Sequence, residues 1–208
     1  MCNEFARHIA LGQLAEDWAD LKVPLTFPEG LPNLAPLDSI RITDSTLILR
    51  AGADGVEGSL RRWSWPARGG RPVYNYRSEG RDFANTATSG RCLIPIDAFY
   101  EFTDPAPDLL GTPPKRSRKD KWRFTHAHAP WFCIAGFWRT EPALGEGRAA
   151  EAFTLLTCDP GPDIAPFHHR QIVLPPHAQW LGWLDGSLAA DAVCRPTPAG
   201  TLTATPAR

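Results

Sequence analysis

Residues 91–102, "RCLIPIDAFYEF", form an almost unbroken apolar run that ends in Glu101 and sets Phe99, Tyr100 and Phe102 around that acid. β-Branched and aromatic residues in so short a stretch, bounded by turn-forming residues, read as a strand. Similar runs lie on either side: "SIRI" (39–42), "TLILRA" (46–51), "SLRRWSW" (59–65), "KWRFTHA" (121–127), "WFCIAGFWRT" (131–140) and "AFTLLTCD" (152–159). Regular helices do not separate them, which disfavours a doubly wound parallel sheet and favours an antiparallel α+β or barrel-like sheet. Residues 9–21, "IALGQLAEDWADL", place Leu11, Leu14, Ala15, Trp18 and Leu21 at the spacing of an amphipathic helix. Proline-rich residues 23–36 exclude regular structure until about residue 38. A short helix is predicted over 176–185, entered through Pro176, with Trp180, Leu181 and Leu184 turned inward. Residues 104–121 read as a long surface loop inside one domain.

The 208 residues fit a single domain, and 43% hydrophobic against 22% charged residues is enough for a sizeable core. With a formal net charge of −1, no global field attracts nucleic acid; contact with it would need a local patch. The five cysteines are odd in number and scattered, with no C-x-x-C pair, which argues against a disulfide framework or structural zinc and for a reducing cytosol. No apolar run approaches the roughly 18 residues a membrane span needs, and Glu4, Arg7, Glu16 and Asp17 are unlike a signal peptide. A cytoplasmic protein is expected.

Cys2 would become the terminal residue if Met1 were removed. Its amine and thiol then have reference pKa values of about 8 and about 8.5, so both are nucleophiles near neutrality. An amine converts an aldehyde to a Schiff base, and a thiol on the adjacent carbon closes a five-membered thiazolidine. Such closure enjoys an effective molarity of about 10⁵ M in favourable cases. The same groups would equally serve an amino-terminal amidohydrolase or cysteine peptidase with His168.

In "RPVYNYRSEGRDF" (71–83), Asn75 and Arg77 share one face of an extended strand, the amide suited to a sugar oxygen and the guanidinium to a phosphate. Arg81 is placed for a second phosphate. Glu101, among aromatics, should have a raised pKa suited to acid–base work. His168 and His169, read as strand neighbours, should point to opposite faces, so one of them at most enters a site. Metal ligation is not expected, because His126 and His128 lack ligand spacing to this pair. The basic run Lys115, Arg116, Arg118, Lys119, Lys121 and Arg123, with Trp122 interleaved, reads as a solvated loop or a nucleic-acid contact.

Together "MCN", "RRWSWP" (61–66), "RPVYNYRSEGRDF", "GRCLIPIDAFYEF" (90–102), "WFCIAGFW" (131–138) and "FTLLTCDPGPDIAPFHHR" (153–170) followed by "VLPP" resemble the SRAP family, the SOS-response-associated peptidase domain. The resemblance runs from residue 2 to about 185, leaving 186–208 as a C-terminal extension of a single domain spanning 1–208. It implies an α+β fold on a barrel-like antiparallel sheet with peripheral helices. It also implies recognition of abasic sites in single-stranded DNA and a thiazolidine DNA–protein crosslink through Cys2. Carried over, Asn75 would steady the opened sugar, while Glu101 and His168 would move protons. Arg77, Arg170, Trp63, Arg81 and Phe102 would meet DNA. Members are credited with removing Met1 autocatalytically. No metal or organic cofactor would be needed, a monomer would suffice, and the protein would join the nucleoid when bound to DNA. The chain departs from the better-known branch at Glu4, where arginine is usual, at His169 in place of aspartate, at Gln171-Ile172 in place of Met-Pro, and at Phe102 in place of tryptophan. Glu4 is expected to repel a phosphate. The competing class is a non-catalytic single-strand binder working through Trp63, Arg77 and the basic loop.

Overall fold

The apolar run at 91–102 is two strands, not one. It breaks at Asp97, and each half belongs to a different sheet. The computed structural model describes residues 2–66, 71–105, 119–141 and 150–207. The first half of the chain forms β1 (Glu4–Arg7), α1 (Leu11–Ala19), β2 (Leu25–Thr26), β3 (Leu37–Arg41), β4 (Ser45–Gly52), β5 (Gly55–Trp63) and β6 (Asn75–Arg77). There follow β7 (Ser89–Ile96), β8 (Ala98–Thr103), β9 (Asp120–His126), β10 (Phe132–Glu141), β11 (Ala150–Cys158) and β12 (Gln171–Ile172). A 3-10 turn (His177–Gln179), α2 (Trp180–Asp185), α3 (Ala190–Val193) and β13 (Leu202–Ala207) complete it.

One sheet has the order β13-β9-β8-β1-β3. The other runs β12-β11-β10-β7-β4-β5-β2, with β6 added to β11. A short parallel contact, Ala152 to Arg62 and Phe153 to Trp63, joins β11 to β5, so the path β11-β10-β7-β4-β5 returns on itself. The architecture is α+β and mostly antiparallel. This agrees with the expected antiparallel α+β class, with three short pairings, β11 with β5, β11 with β6 and β2 with β5, running parallel.

Side-chain alternation divides the core in two. Cys2, Phe5, Ile48, Trp63, Ile94, Phe99, Phe124 and Phe153 fill the space between the sheets. Leu47, Leu49 and Leu93, one residue out of phase with Ile48 and Ile94, face the other way and are covered by Leu14 and Trp18 of α1 and Trp180 and Trp183 of α2. The predicted first helix is real but shorter, and Ala15, expected inside, is exposed. The helix over 176–185 forms as a 3-10 turn running into α2, with Trp183 fully buried beside the expected Trp180 and Leu184. Residues 186–208 are more than an extension: α3 packs into the second core, and β13 pairs with β9 from Leu202 to Ala207. Of the loop predicted at 104–121, residues 106–118 lie outside the described residues.

Asp97 joins the two sheets. Its N–H donates to the Ala6 carbonyl at 3.0 Å, and its Oδ2 accepts the backbone N–H of His8 and, at 3.2 Å, that of Ile9. The chain leaving β1 is thus tied to the corner between β7 and β8. Asp97→Ala removes the acceptor for both amides and is expected to destabilise the fold by about 2 kcal/mol. Urea titration checks this, and a midpoint equal to wild type would show that the corner is held by something else.

Candidate functional site

β1 is an interior strand. Phe5 pairs with Phe99 of β8 on one edge and with Ile40 of β3 on the other. Chain ends ordinarily fray, but this one is held in a ladder on both sides. Cys2 stands just before it with its side chain fully buried, its Sγ donating to the Glu4 carbonyl at 3.4 Å. From the opposite sheet, Nδ2 of Asn75 donates to the Cys2 carbonyl at 2.7 Å. Asn75 reaches it because β6 runs parallel to β11, with Asn75 opposite Leu155 and Arg77 opposite Thr157. Trp63 supports this arrangement from within. Its indole N–H donates to the Tyr74 carbonyl at 2.9 Å, and its ring centroid lies 4.8 Å from that of Phe5.

Glu101 follows Phe99 by two residues on β8 and therefore faces inward too. It is 2% exposed. Burial pushes its carboxyl up to about 7, against the pull of the positively charged chain terminus. Burial also pushes the Cys2 thiol well above its usual range, and the charge of Glu101 adds to the effect. The two groups are therefore electrostatic neighbours, and an ionised Glu101 disfavours ionisation of the thiol.

His168 arrives on a compact turn. Ile164 and Ala165 donate to the Gly161 carbonyl, and His168 N donates to the Ile164 carbonyl at 2.9 Å. Gly161 lets this turn approach the C-terminal segment: a Cβ there would sit 2.3 Å from the Thr197 carbonyl oxygen. Phe167 docks the turn on β9, its ring 4.8 Å from Trp122 and 5.1 Å from Phe124. Trp122 is the β9 partner of Glu101, so the turn is delivered to the same end of the sheet. The strand reading of "HHR" is corrected here. His168 and His169 lie on a turn, with rings stacked 4.4 Å apart instead of pointing to opposite faces. Burial lowers the His168 pKa, as do the amino terminus, His169 and Lys119, while its bond to the Arg170 backbone raises it.

The expected DNA-facing residues divide. Arg77 is exposed, and Arg81 is exposed with its guanidinium 4.2 Å from the Tyr76 ring centroid. Phe102 is partly exposed beside Lys121. Trp63 and Arg170 are instead buried: Trp63 is fully enclosed between the sheets, and Arg170 is held through its two terminal nitrogens by Glu79, Asp159 and Thr157. Neither presents a face to a strand of DNA in this conformation. Lys115, Arg116 and Arg118 lie outside the described residues.

Glu4 also differs from expectation. Its side chain is buried, with Lys121 Nζ at 2.8 Å and Arg41 at 3.9 Å. Burial would raise its pKa, but the bonds from Lys121 and Ser39 and the two cations outweigh this and hold it below the usual range. Its charge is compensated in place, so the expected repulsion of a phosphate is largely cancelled. Lys121 also caps the Tyr100 ring at 3.9 Å, which places it in the sheet and not in a solvated loop. Sequence reasoning missed this pair; its only signal was an acid on one amphipathic strand and a base on another.

Among the described residues, no cluster of three or more His, Cys, Asp or Glu is placed to hold a metal ion, and no helix is long and apolar enough to cross a membrane. The five cysteines are free.

The α+β architecture has known counterparts. The whole chain, residues 1–208, matches the family model described as SOS response associated peptidase (SRAP), and the protein belongs to that family. Membership associates it with the response to DNA damage. A crystal structure of a Bacteroides thetaiotaomicron protein superposes with a TM-score of 0.73 at 15% identity, covering 100% of this chain and 92% of the other. One from Bordetella bronchiseptica gives 0.69 at 22% identity, covering 100% of both chains. At these identities the likeness establishes the fold. No curated protein matches the chain.

Glu101 gives a pH test of the site. The folded protein keeps this proton up to about pH 7, whereas an ordinary carboxyl releases it near 4.5, so ionisation destabilises the fold as pH rises through that window. Glu101→Gln, which cannot ionise, is expected to match wild type near about pH 4 and to exceed it by about 3 kcal/mol near about pH 8. Urea curves for the two proteins that differ equally at both pH values would remove Glu101 as the titrating group.

Proposed function

We propose that the protein captures abasic sites in single-stranded DNA as a covalent thiazolidine on Cys2, after Met1 has been removed. The observation that carries this reading is the grip of Asn75 on the Cys2 carbonyl beside a carboxyl that titrates near neutrality. Removing Met1 frees the amine of a residue whose thiol is fully enclosed while the initiator is present.

The chemistry balances without a cofactor. The deoxyribose opens to its aldehyde, and the Cys2 amine adds to the carbonyl carbon. Loss of one water gives the imine, and Sγ then adds to the same carbon while its proton passes to nitrogen. Glu101 suits both directions of transfer, because a group with a pKa near the working pH is a competent acid and a competent base. As a carboxylic acid it protonates the departing oxygen; as a carboxylate it takes the proton of a thiol that burial keeps un-ionised. His168, with its pKa lowered, is the neutral base for ring opening. Asn75 bridges the Cys2 backbone and the sugar, and Arg77 and Arg81 are the exposed cations for flanking phosphates.

The cysteine-peptidase reading is less well supported. It needs a thiolate–imidazolium pair, whereas burial moves Cys2 up and His168 down, away from that pair on both sides. The non-catalytic binder loses its main stacking residue, because Trp63 is enclosed.

Intact mass spectrometry tests the proposal. Incubation with an abasic oligonucleotide is expected to give one adduct, equal to protein without Met1 plus DNA minus one water. Cys2→Ala is expected to give no such species, and a variant that retains Met1 likewise. An adduct of unchanged yield in either would refute the thiazolidine.

A further inference from the structure

Between the buried acid and solvent, the inner face of the five-stranded sheet passes through one aromatic residue. Trp122 of β9 pairs with Glu101 of β8 on one side and with Pro206 of β13 on the other, and paired residues project to the same face. Glu101 is buried and Pro206 is exposed. Along β9 the same gradient recurs, with Phe124 enclosed, Trp122 partly exposed and Asp120 exposed. The indole therefore stands at the mouth of the space between the sheets, packed on the core that holds Phe99 and Phe124 without being covered by it.

Two contacts fix how the ring lies. Its N–H donates to Thr103 Oγ1 at 3.0 Å, a bond in the plane of the indole. Phe167 meets it with centroids 4.8 Å apart and planes inclined at 62°. An in-plane bond and one inclined neighbour do not occupy both faces of a ring. Phe167 directly precedes His168, so the indole lies between Glu101 and the histidine turn.

The charges beside the ring decide what it can hold. Lys119 lies 3.4 Å from Asp104, and both are exposed. A solvated pair of this kind contributes little, and Asp120 adds a negative charge on the face of the ring itself. Lys121 is on the other face of the strand, bound to Glu4. These neighbours offer no excess of cations to a phosphate. What remains is a π-surface of fixed orientation, and the group of single-stranded DNA that matches it is a nucleobase.

We propose that Trp122 is a nucleobase-binding residue, stacking the base that neighbours the abasic sugar in the role that the enclosed Trp63 cannot fill. This rests on the reading of the site given above and adds to it: the gap in the strand meets Cys2 and Glu101, while the base beside the gap meets Trp122.

Fluorescence anisotropy of labelled single-stranded oligonucleotides tests this without the crosslink, with tetrahydrofuran, which has no aldehyde, as the abasic residue. On a strand with one tetrahydrofuran, Trp122→Leu is expected to bind about tenfold more weakly than wild type and Trp122→Phe to stay within about threefold. The slope of log affinity against log salt should be unchanged in both, since neither loses a cation. On a strand with three consecutive tetrahydrofurans, which lacks the flanking bases, wild type is expected to lose about tenfold and both variants to match it within about twofold. If Trp122→Leu misfolds, Trp122→Phe carries the test, because its smaller loss should likewise vanish on the second strand. Equal wild-type affinity for the two strands, or no binding to either, overturns the proposal. So does a loss in the variants that persists in full without flanking bases, the signature of a purely structural role. A wild type that binds the tetrahydrofuran strand but forms no crosslink with an abasic aldehyde would defeat the proposed function, and these affinities would still decide Trp122.

Discussion

A chain terminus is ordinarily the least constrained part of a domain, and here it is placed between two hydrogen-bonding neighbours. β1 lies between β8 and β3, so Glu4, Phe5 and Arg7 are paired along one edge and Phe5 and Ala6 along the other. This insertion has consequences in every direction. It carries Cys2 into the space between the sheets, puts Glu101 within electrostatic reach of the thiol, and makes the break at Asp97 necessary, since the strand that pairs with β1 must leave the larger sheet to do so. A terminus outside the sheet would offer the same functional groups with no defined relation to an acid or to the Asn75 amide.

The insertion also explains the electrostatics. Groups placed between sheets lose water, and each responds by favouring its neutral form. The thiol and carboxyl move up, and the His168 imidazole moves down. Charges that remain are paired at the margins, Glu4 with Lys121 and Arg170 with Glu79. The result is an interior able to exchange protons at little electrostatic cost, bordered by ion pairs that fix its walls. A net charge of −1 is compatible with a nucleic-acid partner on these terms, because exposed Arg77 and Arg81 sit on the strand and loop beside Asn75.

Much of this was legible in the sequence. Strand runs separated by turn residues located most of the sheet, and the aromatic setting of Glu101 pointed to its raised pKa. What escaped was set by partners distant in sequence. Nothing in "RCLIPIDAFYEF" marks Asp97 as a corner, since the backbone amides it accepts belong to residues 8 and 9. The tryptophan in "RRWSWP" reads as easily as a stacking surface as a core residue; only the closeness of Phe5 and Tyr74 decides. The resemblance set Arg170 against DNA, and its ion pair with Glu79 could not be read there because that carboxylate lies 91 residues away. Glu4 looked repulsive for the same reason, with Lys121 lying 117 residues away.

The way Cys2 is held bears on why an asparagine stands at position 75. In the proposed reaction both the amine and the thiol of one residue must reach a single carbon, so neither can serve as the anchor. After removal of Met1, the only other polar group on Cys2 is its carbonyl, and that is the atom that accepts the 2.7 Å bond from Asn75. A carboxylate at position 75 would have no proton to donate there and would instead attract the amine as an ammonium ion, the protonation state that cannot attack. A lysine would bring a positive charge that disfavours protonation of the amine, but it has no acceptor for a sugar hydroxyl. The amide has a donor for the backbone and keeps its Oδ1, buried and without a hydrogen-bond partner among the described residues, as an acceptor. A neutral side chain with one donor and one acceptor on the same plane therefore meets the requirement, and β6 presents it because its parallel pairing with β11 turns residue 75 toward the first strand.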